Sequence, residues 1–209
     1  MDAESFLNNI GLDTTVLTST HFDTLKTPFD ISPQDFIKYA EIDLSNKYEH
    51  NIINALSNSK RALDCQLDTL LFSFGFYKIS QKEFWNFPKK LILMSELGVI
   101  APRILHKINK QRNLLEHQFI KPPKETVEDF LDIAMLFIAS TDKYSFKFIS
   151  TLTFTNDKLA MSFILTNKYM DESFWLRIRK GSESDFIELV VNQKEQLYKR
   201  FLKKYLEFY

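Results

Sequence analysis

Residues 144–155 read YSFKFISTLTFT, and here the chain changes its period. Phe146, Phe148, Leu152 and Phe154 alternate with polar residues, the two-residue repeat of a half-buried strand. Asn156-Asp157 follows as a turn signal, and LAMSFILT (159–166), FWLRIRK (174–180) and DFIELVV (185–191) supply three further strand candidates. The last eighteen residues, NQKEQLYKRFLKKYLEFY, return to helical spacing through Leu197, Phe201, Tyr205 and Phe208.

Upstream of residue 144 the spacing is helical. Ser32-Pro33 with Asp35 is a helix start: a capping hydroxyl, proline in the first turn and an acid facing the dipole. Apolar residues then recur from Phe36, Tyr39, Ala40 and Leu44 through Tyr48, Ile52 and Leu56 to Leu63, Leu67, Leu70 and Phe74. They fit either one helix of roughly 40 residues, about 60 Å long, or two helices broken near Leu44-Ser45-Asn46, and Gly75 ends the run. PKKLILMSELG (88–98) reads as a second helix, and a third runs from Ala101-Pro102 to Pro122-Pro123, which forbid its continuation. ETVEDFLDIAMLFIAS (125–140) is a fourth, with Val127, Phe130, Leu131, Ala134 and Ile138 on one stripe. Short connections imply an antiparallel bundle. The expected class is α+β: residues 1–31 an irregular N-terminal arm, 32–141 a helical bundle, and 142–209 a small antiparallel β-meander with a C-terminal helix.

Composition narrows the function classes. The 209 residues carry 27 basic and 27 acidic side chains, so a polyanion would need a local basic surface. Cys65 is the single cysteine, which excludes an internal disulfide framework and fits a reducing, cytoplasmic compartment. The start MDAESF is acidic where a signal peptide would be basic, and no apolar run approaches a bilayer span, so no membrane association is expected. With four glycines there is no phosphate loop, and His21, His50, His106, His117 and Cys65 show no metal-ligand spacing, so neither metal nor cofactor is expected.

One segment departs from this balance. HKINKQRNLLEHQFIKPPK (106–124) holds His106, Lys107, Lys110, Arg112, His117, Lys121 and Lys124 against one acid, Glu116. Such a local field suits a phosphate backbone; a solvated helix face is the plainer reading of the same charges. At about 100° per residue, Arg112 falls within roughly 40° of the apolar stripe centred on Ile108. An arginine there calls for an anion: a carboxylate, with Asp64 the first candidate and Asp68 the second, or a phosphate held by its planar fork of donors. His117 lies about 140° away from Arg112 on an ideal helix, so one straight helix does not bring the two together.

The sequence Arg112-Asn113-Leu114-Leu115-Glu116-His117 resembles the motif of the HEPN superfamily of small helical-bundle proteins: an arginine, a polar residue, and a histidine four to six positions beyond the arginine. The helices around it resemble the family too, over roughly residues 34–141. The resemblance implies a metal-independent endoribonuclease working as a homodimer with motif helices face to face. Arg112 and His117 would be catalytic, and Asn113 would stand at the usual polar position. Asp64 and Glu116 would support the site, and Lys107, Lys110 and Lys121 would contact RNA. Cleavage through the 2′-hydroxyl needs a base, an acid and positive charge on the phosphorus; a two-fold pair supplies two histidines and two arginines to one groove. Family members often serve as toxins or anti-phage effectors, which implies a possible antitoxin or regulatory protein partner. Many others have lost catalysis, so a dimerisation, scaffold or sensor module binding a protein or nucleotide remains the alternative. Trp175 and Tyr169 are candidate base-stacking residues, set against the commoner role of strand aromatics as core.

Overall fold

The computed structural model describes residues 3–10, 15–100, 121–181 and 185–209, and elements are numbered along these. Helices α1 (Ala3–Asn9), α2 (Pro33–Ser45), α3 (Asn51–Ser73), α4 (Tyr77–Lys82), α5 (Phe87–Glu96), α6 (Lys124–Thr141), α7 (Lys143–Phe146) and α8 (Gln196–Leu206) accompany strands β1 (Thr15–Asp23), β2 (Phe148–Asn156), β3 (Met161–Lys168), β4 (Ser173–Lys180) and β5 (Ile187–Asn192). The chain is therefore mixed α and β, and the strands form one antiparallel sheet in the order β1-β2-β3-β4-β5. The chain divides into two compact units: residues 1–25, 72–82 and 144–209 form the sheet unit, and residues 26–71 and 83–143 the helical unit. No helix of the described residues is long and apolar enough to cross a membrane.

Where it is described, the helical unit follows its sequence signals; the third expected helix, from Ala101-Pro102 to Pro122-Pro123, falls, before Lys121, on residues outside those described. Ser32 and Asp35 close a reciprocal capping box: the Ser32 hydroxyl accepts from the Asp35 N–H at 3.2 Å, and the Asp35 carboxylate accepts from the Ser32 N–H at 3.0 Å. The long apolar run is broken, since α2 stops at Ser45 and α3 begins at Asn51. Asn46 occupies the break with extended backbone, and its side-chain amide donates to the Ile42 carbonyl at 2.7 Å. Val127, Phe130, Leu131, Ala134 and Ile138 of α6 are all buried, as their spacing predicts. Two buried polar side chains tie α3 to α6, the Gln66 amide donating to the Thr141 hydroxyl at 2.9 Å. The Thr141 hydroxyl itself donates to the Phe137 carbonyl at 2.7 Å, so both groups are satisfied and their burial costs little.

The sheet unit has two layers. Phe154 of β2, Phe163 and Leu165 of β3, and Phe174, Leu176 and Ile178 of β4 are buried on one face. Helices α1 and α8 cover them, Phe6 lying with its ring 4.8 Å from Phe163 and 6.2 Å from Phe201, and Phe174 5.2 Å from Tyr198. Each phenylalanine fully withdrawn from water contributes about 2–3 kcal/mol.

The N-terminal segment corrects the expectation for residues 1–31. It is no irregular arm: Ala3–Asn9 is helical and Thr15–Asp23 is the edge strand, paired with β2 from Thr15 opposite Asn156 to Asp23 opposite Phe148. The strand hides its period because irregularities between Leu17 and Ser19 and between His21 and Phe22 shift its register. Most of its residues are also exposed, so no run of alternate apolar residues is needed. Phe146 is the second correction: it lies in α7 and is 72% exposed, and the strand begins at Phe148.

Gly75 ends α3 in the left-handed region at φ 72°, where a Cβ would come within 2.4 Å of the Tyr198 hydroxyl oxygen. That hydroxyl donates to the Phe74 carbonyl at 3.0 Å, so it is not free to move aside. Gly98 has a similar φ of 76° with open space around it. Gly75→Ala is therefore expected to destabilise by more than the roughly 1 kcal/mol of left-handed strain that Gly98→Ala incurs, read as the difference in urea midpoints. Removing the cap by Ser32→Ala is expected to cost about 1 kcal/mol. The Ser32 hydroxyl, and then its N–H, hold the Asp35 pKa below the usual range. Asp35 therefore stabilises above ordinary carboxylate pKa values, and the contribution fades as pH falls through its depressed one. The stability gap between wild type and Asp35→Asn should narrow with acidification.

Candidate functional site

Six of the residues singled out by sequence, Arg112, His117, Asn113, Glu116, Lys107 and Lys110, lie outside the described residues, as does His106. Two of the set are described. Asp64 is half-buried on α3, one position before Cys65. Lys121 is exposed, and its amine donates to the Glu49 carbonyl at 3.4 Å. His50 is exposed in the turn before α3, and Arg61 is exposed with a guanidinium nitrogen 3.5 Å from the Asn58 side-chain oxygen.

The surroundings of Asp64 are acidic. Cys65 is partly withdrawn from water beside Asp68, Asp35 and Asp64, and its thiol lies 3.4 Å from the Ile31 carbonyl oxygen. Burial, and then the charge of Asp68, push the thiol up to about 11. A thiol so raised carries almost no thiolate at neutral pH, and thiolate is the reactive form. The surroundings of Cys65 thus favour the neutral thiol over the thiolate. Asp68, the second carboxylate considered for Arg112, already holds a cation: the Lys90 amine of α5 lies 2.5 Å from it, with the two side chains 11% and 22% exposed. Sequence reading passed over this pair. Its signal was Lys90 itself, set in the apolar stripe of α5 beside Leu91, Leu93 and Met94, all buried.

In the sheet unit burial acts on three phenols in the same direction. Burial raises Tyr198 and Tyr205 well above the ordinary phenol range and lifts Tyr209 to about 12. Tyr209 accepts from the Ile149 N–H at 2.8 Å, and Tyr205 donates to the Ile149 carbonyl. These phenols anchor β2 to α8. Tyr169 packs its ring 5.0 Å from Phe148 and 5.4 Å from Phe72, as core. Trp175 differs: it is half-exposed, donates its indole N–H to the Ser173 hydroxyl at 3.1 Å, and has the Lys168 amine 5.7 Å from its ring centre.

Among the described residues no cluster of three or more histidines, cysteines or carboxylates is arranged to hold a metal. No protein-family model, no curated protein and no solved structure matches the chain. The thiol environment makes a direct prediction. With its thiol pushed up to about 11, and the higher intrinsic reactivity of such a thiolate only partly offsetting its scarcity, Cys65 should be alkylated by iodoacetamide at pH 8 roughly tenfold more slowly than a model thiol. The deficit should vanish in urea.

Proposed function

We propose that the chain is a metal-independent endoribonuclease acting as a homodimer, with Arg112 and His117 at its centre. The observation that carries this is the spacing Arg112-Asn113-x-x-x-His117 inside a basic stretch of a chain with no net charge. Further support comes from the helices on either side of that stretch in sequence, α5 and α6, and from α3, whose Asp64 is the proposed supporting carboxylate. On this reading the helical unit is a HEPN-like bundle.

The chemistry follows from the two side chains. Arg112 holds the scissile phosphate and offsets the charge that builds on its oxygens as phosphorus becomes pentacoordinate. One imidazole takes the proton of the ribose 2′-hydroxyl as that oxygen bonds to phosphorus. A second, protonated, gives its proton to the departing 5′-oxygen as the P–O bond breaks. The products are a 2′,3′-cyclic phosphate and a 5′-hydroxyl. Because each chain brings one His117, the two roles need two copies, and the Arg112 of one copy then complements the His117 of the other. Lys107, Lys110, Lys121 and Asn113 bind the strand on either side, and Glu116 orients Arg112. A cytoplasmic toxin or defence effector, with an antitoxin or regulatory protein as partner, is the role that fits such an activity.

Purified protein incubated with mixed RNA in excess chelator should yield cyclic-phosphate ends and leave DNA intact. Arg112→Ala and His117→Ala should each lower the rate by about 10²–10⁴-fold, and light scattering should report a dimer. Cleavage that persists in His117→Ala, or that chelator abolishes, would refute the mechanism. A stable dimer that cleaves no RNA would leave the alternative, a non-catalytic dimerisation or sensor module.

A further inference from the structure

The strand alternation that buries one face of the sheet defines the chemistry of the other. Opposite the core, β4 turns Trp175, Arg177 and Arg179 outward in succession, and both arginines are exposed. The facing positions are Thr166 and Val190 beside Trp175, and Ile164 and Glu188 beside Arg177. Thr153 lies next to Ile164 one strand further on. Lys168, exposed at the end of β3, reaches over the indole of Trp175, and the Arg179 guanidinium lies 5.7 Å from the ring centre of Phe186, which is 40% exposed.

Three features set this face apart from an ordinary solvated sheet. Its charge is one-sided: at the outward positions of β3, β4 and β5, Lys168, Arg177 and Arg179 meet a single carboxylate, Glu188, which accepts from Arg177 at 2.6 Å. In a chain with no net charge this excess is a local property. Its aromatic groups stand beside cations, in the order ring, cation, cation along one strand, with about 7 Å between successive outward positions. Around the half-exposed Ile164, the neighbouring outward side chains Thr151, Thr153 and Thr166 are short hydroxyls that offer donors.

We propose that this outer sheet face binds single-stranded RNA. An unstacked base lies on Trp175 while Lys168, Arg177 and Arg179 take successive phosphates. Duplex RNA is a poorer ligand. Its bases are stacked and therefore closed to Trp175, and its deep, narrow major groove admits no flat sheet. The inference takes from the cleavage reading only its ligand class. Arg112 and His117 play no part in it, and the sheet would act as the surface that delivers or retains the strand.

The test uses the full chain carrying His117→Ala, so that labelled RNA survives and binding is read apart from cleavage. Fluorescence anisotropy with a mixed-sequence single strand of about 15 nucleotides, and with the matching duplex, should show tighter binding of the single strand. In a Trp85→Phe background, where Trp175 is the remaining tryptophan, the strand should quench the indole emission. Trp175→Ala should weaken binding about tenfold, within the range of one lost base stack. Lys168→Gln and Arg179→Gln should each lower the slope of log affinity against log salt by about one. Thr153→Glu, a half-exposed position that leaves the core face untouched, should weaken binding by charge alone and guards against a Trp175 variant that misfolds. The proposal is overturned if Thr153→Glu and Arg179→Gln bind as tightly as the parent. Equal affinity for duplex and single strand, or no RNA binding at all, overturns it too. Absence of cleavage by the wild-type chain with these binding results intact would leave the sheet assignment standing alone.

Discussion

Phe6 of α1 packs its ring on Phe163 in the middle of the sheet and against Phe201 of α8, which in turn meets Phe174 of β4. Outside them, the Arg200 guanidinium donates to the Glu4 carboxylate at 2.8 Å, an exposed pair that adds little energy but fixes which helix faces meet. Phe154, Phe163 and Phe174 are kept out of water by α1 and α8, through Phe6 and Tyr198. Cover on one face leaves the other to be built from residues that tolerate solvent. That is why threonine, arginine and lysine alternate so regularly with phenylalanine and leucine along β2, β3 and β4.

Most of this was legible because the signals were local. FWLRIRK declares its two faces residue by residue, and the α6 stripe from Val127 to Ile138 is buried as its spacing requires. The terminal helix is placed correctly, although its buried face centres on Tyr198, Phe201, Leu202 and Tyr205, with Leu197 at the margin. What escaped depends on partners far away in sequence. β1 is a strand because β2 supplies its hydrogen bonds, and its own residues show no alternation. α4, six residues long, is too short for periodicity to speak. Phe146 keeps the parity of the strand yet belongs to a helical turn. For the candidate site the division is the same. RNLLEH and its basic neighbours are contiguous and stand out, whereas Lys90 with Asp68 and Lys168 with Trp175 are joined by helix packing and strand register.

Balanced composition hides an uneven distribution of charge. Asp35, Asp64 and Asp68 all act on Cys65, and Lys90 is the counter-charge of Asp68. The outward face of β4 is cationic around a half-exposed indole, a local field that weakens as salt rises.

The pairing of Thr15 with Asn156 also sets a schedule for biosynthesis. At ribosomal rates of several residues per second, the edge strand emerges roughly 10 s before its neighbour exists. Leu17 and Phe22 must wait in that interval without a sheet, and α1 without the helix it packs on. The helical unit, complete once Lys143 has left the tunnel, is free to form first. The sheet unit, assembled from three separate stretches and closed by α8, matures only once Leu206 has left the tunnel, and a nascent chain stalled before Gln196 would present its aromatic face to chaperones.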